Sequence, residues 1–548
     1  MRAMKKLLST VAIGALALAA AASAGPAAGA SAIQHVLLIS IDGMHAVDFY
    51  NCANGLPSIN NGAAYCPQLA ALAATGVTYS NASTSKPSDS FPGLTAIITG
   101  ATPRTSGIYY DVSYDRKLSP PAVTTPYGIA GGQNLCPSVV GTQVGFDEEI
   151  DFNYLKLDAG GGINPQYLPR DPANACQPVY PHNWIRVNTI FEVVKAAGGY
   201  TAWSDKHPSY DFANGPSGKG VDDLWSPEIN SIPVPLKGIA GCNPLPDPGA
   251  ATSSNAWTDS FANIKCYDQL KVHALLNEIK GRNHAGAPAQ VPNLFGMNFQ
   301  AVSVGQKLVE SSLSPTVTGG YVDAAGTPSA ALLGEIQFVD AAIGSIVTDL
   351  KTQGLLGSTA IVITAKHGQS PIDRSRLLRI PHDDKSKAPP SSIVGANVAQ
   401  ADEDDISLLW LTDDSAGPLQ TAVSQLQAAK TTIGADAGEI FYGPSLVLLF
   451  DDPHLDSRTP DIVVAPNVGV VYTGGGGKVA EHGGFAHDDT NVLLLISNPS
   501  LKQSLVTTPV ATAQVAPTVL QLLGVSPSKL DAVQLEGTQP LPGVTKQY

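Results

Sequence analysis

The sequence predicts an α/β protein with a mostly parallel central sheet, helices on both faces and loop-rich insertions, on three observations. Short apolar, β-branched runs alternate with segments of helical period. The runs are apolar throughout rather than at every second residue, as strands buried on both faces are. Residues able to do chemistry stand directly after two of them, at the strand ends where such folds gather function.

The elements follow in chain order. Residues 35–41 form the first strand, which stops at Asp42-Gly43. Residues 67–76 open on Pro67 and close on Gly76, the asymmetry of a short helix. Residues 187–197 and 257–279 read as helices, and 200–204 and 294–301 as strands. From Pro328 to Leu350, Leu332, Ile336, Val339, Ile343, Ile346, Val347 and Leu350 share one helical face, with Gly354 as the stop. A strand at 360–364 follows, and strands at 462–465 and 492–496 complete the set. Sequence rich in Pro, Gly and Asn at about 111–181 and 206–255 reads as insertions over the sheet's active edge, and 379–460 as a small subdomain.

With 43% hydrophobic and 14% charged residues, the 548-residue chain can bury a large core. Residues 1–32 carry Arg2, Lys5 and Lys6, then an apolar run from Leu7 to Ala22 and two small-residue exits, the pattern of a secretory signal peptide. No other uninterrupted stretch has the length of a membrane span, so the expected location is secreted or periplasmic with no stable membrane span. The six cysteines form no Cys-x-x-Cys pair and sit in loop sequence, which favours disulfides over a metal cluster. Pairing neighbours, Cys52 with Cys66, Cys136 with Cys176 and Cys242 with Cys266, is the simplest of the fifteen connectivities open to six cysteines. A formal charge of −14 disfavours nucleic-acid binding as a main role.

Four separated pieces carry candidate chemistry: Ile-Ser-Ile-Asp-Gly-Met at 39–44, Lys-Pro-Ser-Asp-Ser-Phe-Pro-Gly at 86–93, Thr-Ala-Lys-His-Gly at 364–368 and Glu-His-Gly-Gly at 481–484. Each alone reads equally as a cap or turn. In this order and spacing they resemble the alkaline phosphatase superfamily, specifically its type I phosphodiesterase/nucleotide pyrophosphatase family. That family has Asp-Gly after the first strand, a Thr or Ser nucleophile before Phe-Pro, Asp-His-Gly after a central strand and a late His-Gly. Residues 87–100 match the nucleophile segment without a gap, and 514–524 are similar to the family's last helix.

The resemblance implies an exported hydrolase of small-molecule phosphate esters, cleaving phosphodiester or pyrophosphate bonds. It implies Ser90 as a nucleophile that becomes phosphorylated, Asp42 and His367 as ligands of one divalent metal, and His482 as a ligand of another, with zinc the first candidate. A hydroxyl beside a dication loses its proton more readily, and the metal neutralises charge on the transferring group. The chain departs from the family at three positions. Lys366 stands for the Asp of Asp-His-Gly, and Val302 and Gln306 stand for the Asp and His of an Asp-x-x-Gly-His motif.

An ammonium has no lone pair for a metal, but it places positive charge where a metal would be. The expected centre is therefore reduced, with one ion at Asp42, Ser90 and His367 or none, and Lys366 as a catalytic charge. Two other readings stay open: an inactive member that binds an anion, and a metal-independent acyl hydrolase in which Lys366 activates Ser90. Asp205-Lys206-His207, Asp222-Asp223, Asp373 and His487-Asp488-Asp489 read as loop residues or caps.

Overall fold

Apart from His35 and Ser40 the first strand is apolar, because helices cover both of its faces. A computed structural model describes residues 33–246, 256–429 and 436–544; the signal peptide expected at 1–32 lies outside the described residues. Eight strands form the central sheet: β1 (His35–Ile41), β2 (Gly76–Tyr79), β3 (Thr201–Ser204), β4 (Asp223–Trp225), β5 (Leu294–Phe299), β6 (Thr359–Thr364), β7 (Leu494–Ser497) and β8 (Ser504–Val506). Their order is β8-β2-β7-β6-β1-β5-β3-β4. The run from β6 to β4 is parallel, whereas β7 runs antiparallel to both neighbours, β6 and β2.

The helices that matter here are α1 (Pro67–Ala74), α2 (Ser90–Thr99), α3 (Ile190–Ala196), α4 (Asn263–Ile279), α5 (Ala301–Lys307), α6 (Ala330–Thr352) and α7 (Val515–Leu522). Side chains on a strand alternate between faces, so Val36 and Leu38 of β1 join one core with α2, α3 and α7. Leu37, Ile39 and Ile41 join a second core with α1, α4, α5 and α6. Each fully buried aliphatic side chain contributes about 1.5–3 kcal/mol, which is what ties the strands to both helical layers.

Helix α6 is long and apolar enough to cross a membrane by length and composition. In the fold it lies against α1 and α4 through polar anchors as well as apolar ones. Asp340 accepts from the backbone of Gln68 and Leu69 at 3.1 and 2.8 Å, and Glu335 pairs with Lys265 of α4 at 3.1 Å. Those anchors suit a core helix of the domain.

Two expected elements differ. The strand at 462–466 belongs to a separate four-stranded antiparallel sheet with Val398–Glu403, Ser407–Leu411 and Ala437–Tyr442, packed on the helix Ala416–Ala428. The strand expected at 294–301 ends at Phe299, because Gln300 turns to helical backbone and Asp268 of α4 accepts from the N–H groups of Gln300 and Ala301. The three disulfides join Cys52–Cys66, Cys136–Cys176 and Cys242–Cys266, as nearest-neighbour pairing anticipates.

Gly93 lets α2 approach the end of β6, since a Cβ there would overlap the carbonyl of Lys366. Alanine favours helices over glycine by about 1 kcal/mol, yet overpacking costs about 1–3 kcal/mol. Gly93→Ala is therefore expected to lower the melting temperature. A gain in thermal stability would show that the backbone yields without strain.

Candidate active site

The carboxyl ends of four adjacent strands deliver one set of polar side chains to one place. Asp42 follows β1, Asn298 and Gln300 stand at the end of β5, Lys366 and His367 follow β6, and Asp205 and Lys206 follow β3. Ser90 enters from the other side as the first residue of α2. Asp89 caps that helix by accepting from Phe91 N at 3.0 Å.

Ser90 is 1% exposed. Its Oγ lies 3.2 Å from His367 Nε2 and accepts from Lys206 Nζ at 3.2 Å. His367 Nδ1 is 2.9 Å from the carbonyl of Gly368, which can only accept, so Nδ1 carries the proton and Nε2 presents a lone pair to the Ser90 hydroxyl. Burial, reinforced by the charges of Lys206 and Lys307, pushes His367 down to about 3, so the ring is neutral in ordinary buffers.

Lys366 points elsewhere. Its Nζ donates to Asp205 Oδ1 at 2.9 Å and to the Tyr210 hydroxyl at 3.0 Å, and sits 3.6 Å from Asp42 Oδ2. The Tyr210 ring lies 4.2 Å from the ammonium. Burial draws the Lys366 pKa below the usual value, against the opposing pull of Asp205 and Asp42. Asp42 Oδ2 accepts from Asn298 at 3.1 Å and from Gln300. Burial alone would raise the Asp42 carboxyl, but the charges of Lys366 and Lys206 and the hydrogen bond from Gln300 hold it below the carboxylate range. Lys206 is half-buried, and although burial would lower it, the carboxylates of Asp42, Asp147, Asp89 and Asp111 raise it, so it stays an ammonium. Its neighbour His207 bridges Asp147 and Glu228 at 2.9 Å each, which fixes this stretch of chain.

His482 packs on His367 with ring centroids 4.0 Å apart. Among the described residues its Nδ1 has no hydrogen-bond partner and faces Asp89 Oδ1 at 3.8 Å, itself unpartnered. Burial pushes Asp89 up to about 6.

The structure thus brings Ser90, Asp42, Lys366 and His367 together, with His482 alongside. The cation on the serine is Lys206, and the hydrogen bonds of Lys366 go to Asp205 and Tyr210. Sequence reasoning placed Asp205 and Lys206 among solvated loop residues, and that is corrected here: Asp205 is fully buried and Lys206 contacts the serine. It also passed over Tyr210, Asn298 and Gln300. The one available signal was position, since Asp205-Lys206 follows a strand just as Asp42 does.

The residues do not fit a two-ion centre. Val302 lies in the apolar core. Gln306 is occupied, its amide donating to the Gly43 carbonyl at 2.7 Å and the Tyr321 hydroxyl at 2.8 Å. Two ammonium groups crowd Asp42 and Ser90. Among the described residues no group of three or more His, Cys, Asp or Glu side chains is arranged to hold a metal ion.

A parallel sheet with a serine at a helix start facing imidazole and carboxylate on strand ends defines a hydrolase scaffold of the alkaline phosphatase type. The sequence model for type I phosphodiesterase/nucleotide pyrophosphatase matches this chain at residues 36–128 and 320–488. No curated protein matches. Among solved structures, murine ectonucleotide pyrophosphatase/phosphodiesterase 5 is similar at a TM-score of 0.53 and 12% identity, over 94% of this chain and 100% of that one. An inactive threonine-to-alanine variant of the murine protein in complex with AMP gives 0.53 and 12%, over 90% and 96%. The human counterpart gives 0.50 and 12%, also over 90% and 96%. At that identity the likeness speaks for the fold; the match to the family model supports a phosphodiesterase/pyrophosphatase type of hydrolase, a family normally dependent on divalent metal.

Two predictions follow from the charges. Lys366→Met leaves Asp205 buried without its cation and takes one of two from Asp42, and removing one partner of a buried pair costs about 3–5 kcal/mol. Denaturant unfolding should show that loss, with part of it recovered by adding Asp205→Asn; equal stability of wild type and Lys366→Met would refute the pairing.

Behind the His482 loop, Ser370 Oγ donates to Asp405 Oδ2 at 2.8 Å and lies 3.4 Å from Asp489 Oδ2. Burial and mutual repulsion hold the Asp405 carboxyl far above its usual range, and burial raises Asp489 to about 7. The folded state thus binds a proton that the unfolded chain releases near pH 4, so the pair's contribution is full below about pH 4 and is lost as pH rises towards 7. Asp405→Asn should flatten the decline in stability between pH 4 and 7 by up to about 1.4 kcal/mol per pH unit. Parallel stability curves for the two proteins would discard this account.

Proposed function

We propose that the protein is an exported hydrolase of phosphate esters, most suited to phosphodiester or pyrophosphate bonds, working through a phosphorylated Ser90 at a site reduced to one metal ion or none. The observation that carries this is the Ser90 hydroxyl between the neutral Nε2 of His367 and the ammonium of Lys206. The signal-like leader and three disulfides support export to an oxidising compartment.

In the first step Ser90 Oγ bonds to phosphorus, its proton passes to His367 Nε2, and the bond to the leaving oxygen breaks, that oxygen taking a proton from solvent. The anionic phosphoryl group beside the ring offsets the lysine charges that depress His367, so the imidazole becomes a better base when substrate is present. In the second step water attacks phosphorus from the vacated side and gives up a proton to solvent. The bond to Ser90 Oγ breaks, His367 returns its proton to the serine, and the phosphate monoester or phosphate is released. Water and substrate approach along Lys206 and His482, the partly exposed members of the site.

The acyl-hydrolase reading needs a lysine that takes the serine proton. The lysine on Ser90 is Lys206, whose carboxylate neighbours keep it protonated, so it cannot serve as that base.

The test is hydrolysis of bis(p-nitrophenyl) phosphate by the purified protein. Ser90→Ala should reduce turnover by at least about a thousandfold while leaving the circular dichroism spectrum unchanged. Acid quench of wild type during turnover should trap a phosphate adduct on the peptide containing Ser90, read by mass spectrometry. Full activity in Ser90→Ala would end the proposal.

A further inference from the structure

We infer that the ammonium groups of Lys206 and Lys366 replace the metal ions at this site, with Lys206 as the residue that activates Ser90 and binds the transferring phosphoryl group. The inference rests on the hydrolase reading above and deepens it.

Three observations carry it. First, Lys206 Nζ donates directly to Ser90 Oγ at 3.2 Å, so the charge that lowers the cost of a serine alkoxide comes from this chain. Second, Lys366 Nζ stands 3.6 Å from Asp42 Oδ2 and 2.9 Å from Asp205 Oδ1, an ammonium lodged among the very groups a metal would need. Asp42 Oδ2 is in addition taken up by the amides of Asn298 and Gln300. Third, the positions that would complete a second ligand set are filled: Val302 by the core, and Gln306 by Gly43, Tyr321 and Gln369.

Lys206 is also held in advance of the substrate. The adjoining Asp205 is fixed by Lys366 and by Trp203 Nε1 at 3.1 Å, and the adjoining His207 by Asp147 and Glu228. A cation placed beforehand in a water-poor site stabilises developing charge without reorganising at the moment of reaction. Lys366, with no hydrogen bond to Ser90 among the described residues, acts on the reaction through Asp42 and Asp205 and is a positioning residue.

The experiment uses the full mature protein. Metal content is measured by plasma mass spectrometry, and turnover of bis(p-nitrophenyl) phosphate and binding of inorganic phosphate by calorimetry are each measured before and after exhaustive chelation. The expected result is less than about a tenth of an equivalent of metal, with turnover and phosphate affinity unchanged by the chelator. Lys206→Met should lose about a hundredfold or more in kcat, the scale of removing one charge-stabilising donor, with phosphate affinity reduced as well. Lys206→Arg, which keeps the charge, should retain more of both, and circular dichroism verifies that each variant is folded.

Near-stoichiometric metal, with turnover and phosphate binding abolished by chelation and restored by zinc, would overturn the inference. So would a folded Lys206→Met variant with wild-type kcat and phosphate affinity. Phosphate binding that survives chelation in a wild type without diester turnover would overturn the hydrolase reading alone and leave the replacement of metal by lysine standing.

Discussion

A lysine ammonium with no exposed surface, held between Asp205 and Asp42, is the constraint on which the rest of the site depends. Burying a charge costs several kcal/mol unless partners meet it in good geometry. Lys366 comes from β6 and Asp205 from β3, with β1 and β5 between them in the sheet. The pair therefore forms only when four strands end at matching heights. Once they do, Asp42, Asn298, Gln300 and His367 are set in place by the same register. Helix α2 then has one docking position, fixed by Gly93 against the Lys366 carbonyl, and that position puts Ser90 Oγ against His367.

The parts of this arrangement legible in the sequence are those written locally. Strands β1 and β6 declare themselves because each is an apolar run ended by a polar residue, and two-sided burial makes the run continuous. Ser90, Asp42 and His367 could be singled out because they sit in short motifs at such ends. Asp205 and Lys206 follow a strand of only four residues, and nothing nearby says that Lys366, far along the chain, completes them. Asn298 and Gln300 are neutral amides whose importance comes wholly from the carboxylate they hold. The early end of β5 was hidden for the same reason, since its cap is the side chain of Asp268 on another helix. The run at 462–466 shows a strand but not its sheet, because an apolar run specifies burial and leaves the partner open.

The three departures from the family pattern form one consistent change when charge is followed. In the pattern that the resemblance implies, carboxylates at the positions of Asp42, Val302 and Lys366 face two dications. Here the carboxylate at 302 has become a core isopropyl group, the one at 366 has become a cation, and Lys206 adds another beside Ser90. Two ammoniums now face Asp42 and Asp205, so the site stays close to electrically balanced with much less charge on both sides. Less charge means a smaller desolvation cost, which suits side chains exposed by 1% or less at Asp42, Ser90, Lys366 and His367.

The same balance explains why the imidazole is free to act. A metal-bound histidine spends its lone pair on the ion and leaves proton transfer to other groups. In this site Lys366 is engaged by Asp205 and Tyr210, so neither it nor Asp42, 3.9 Å away, claims His367 Nε2. That nitrogen is left pointing at the serine hydroxyl, with its proton partner Nδ1 committed to Gly368. Exchanging the Asp of Asp-His-Gly for Lys therefore does more than supply a positive charge. In the proposed mechanism it also leaves the neighbouring histidine as a proton acceptor rather than a ligand, so that the protein's own side chains deprotonate Ser90.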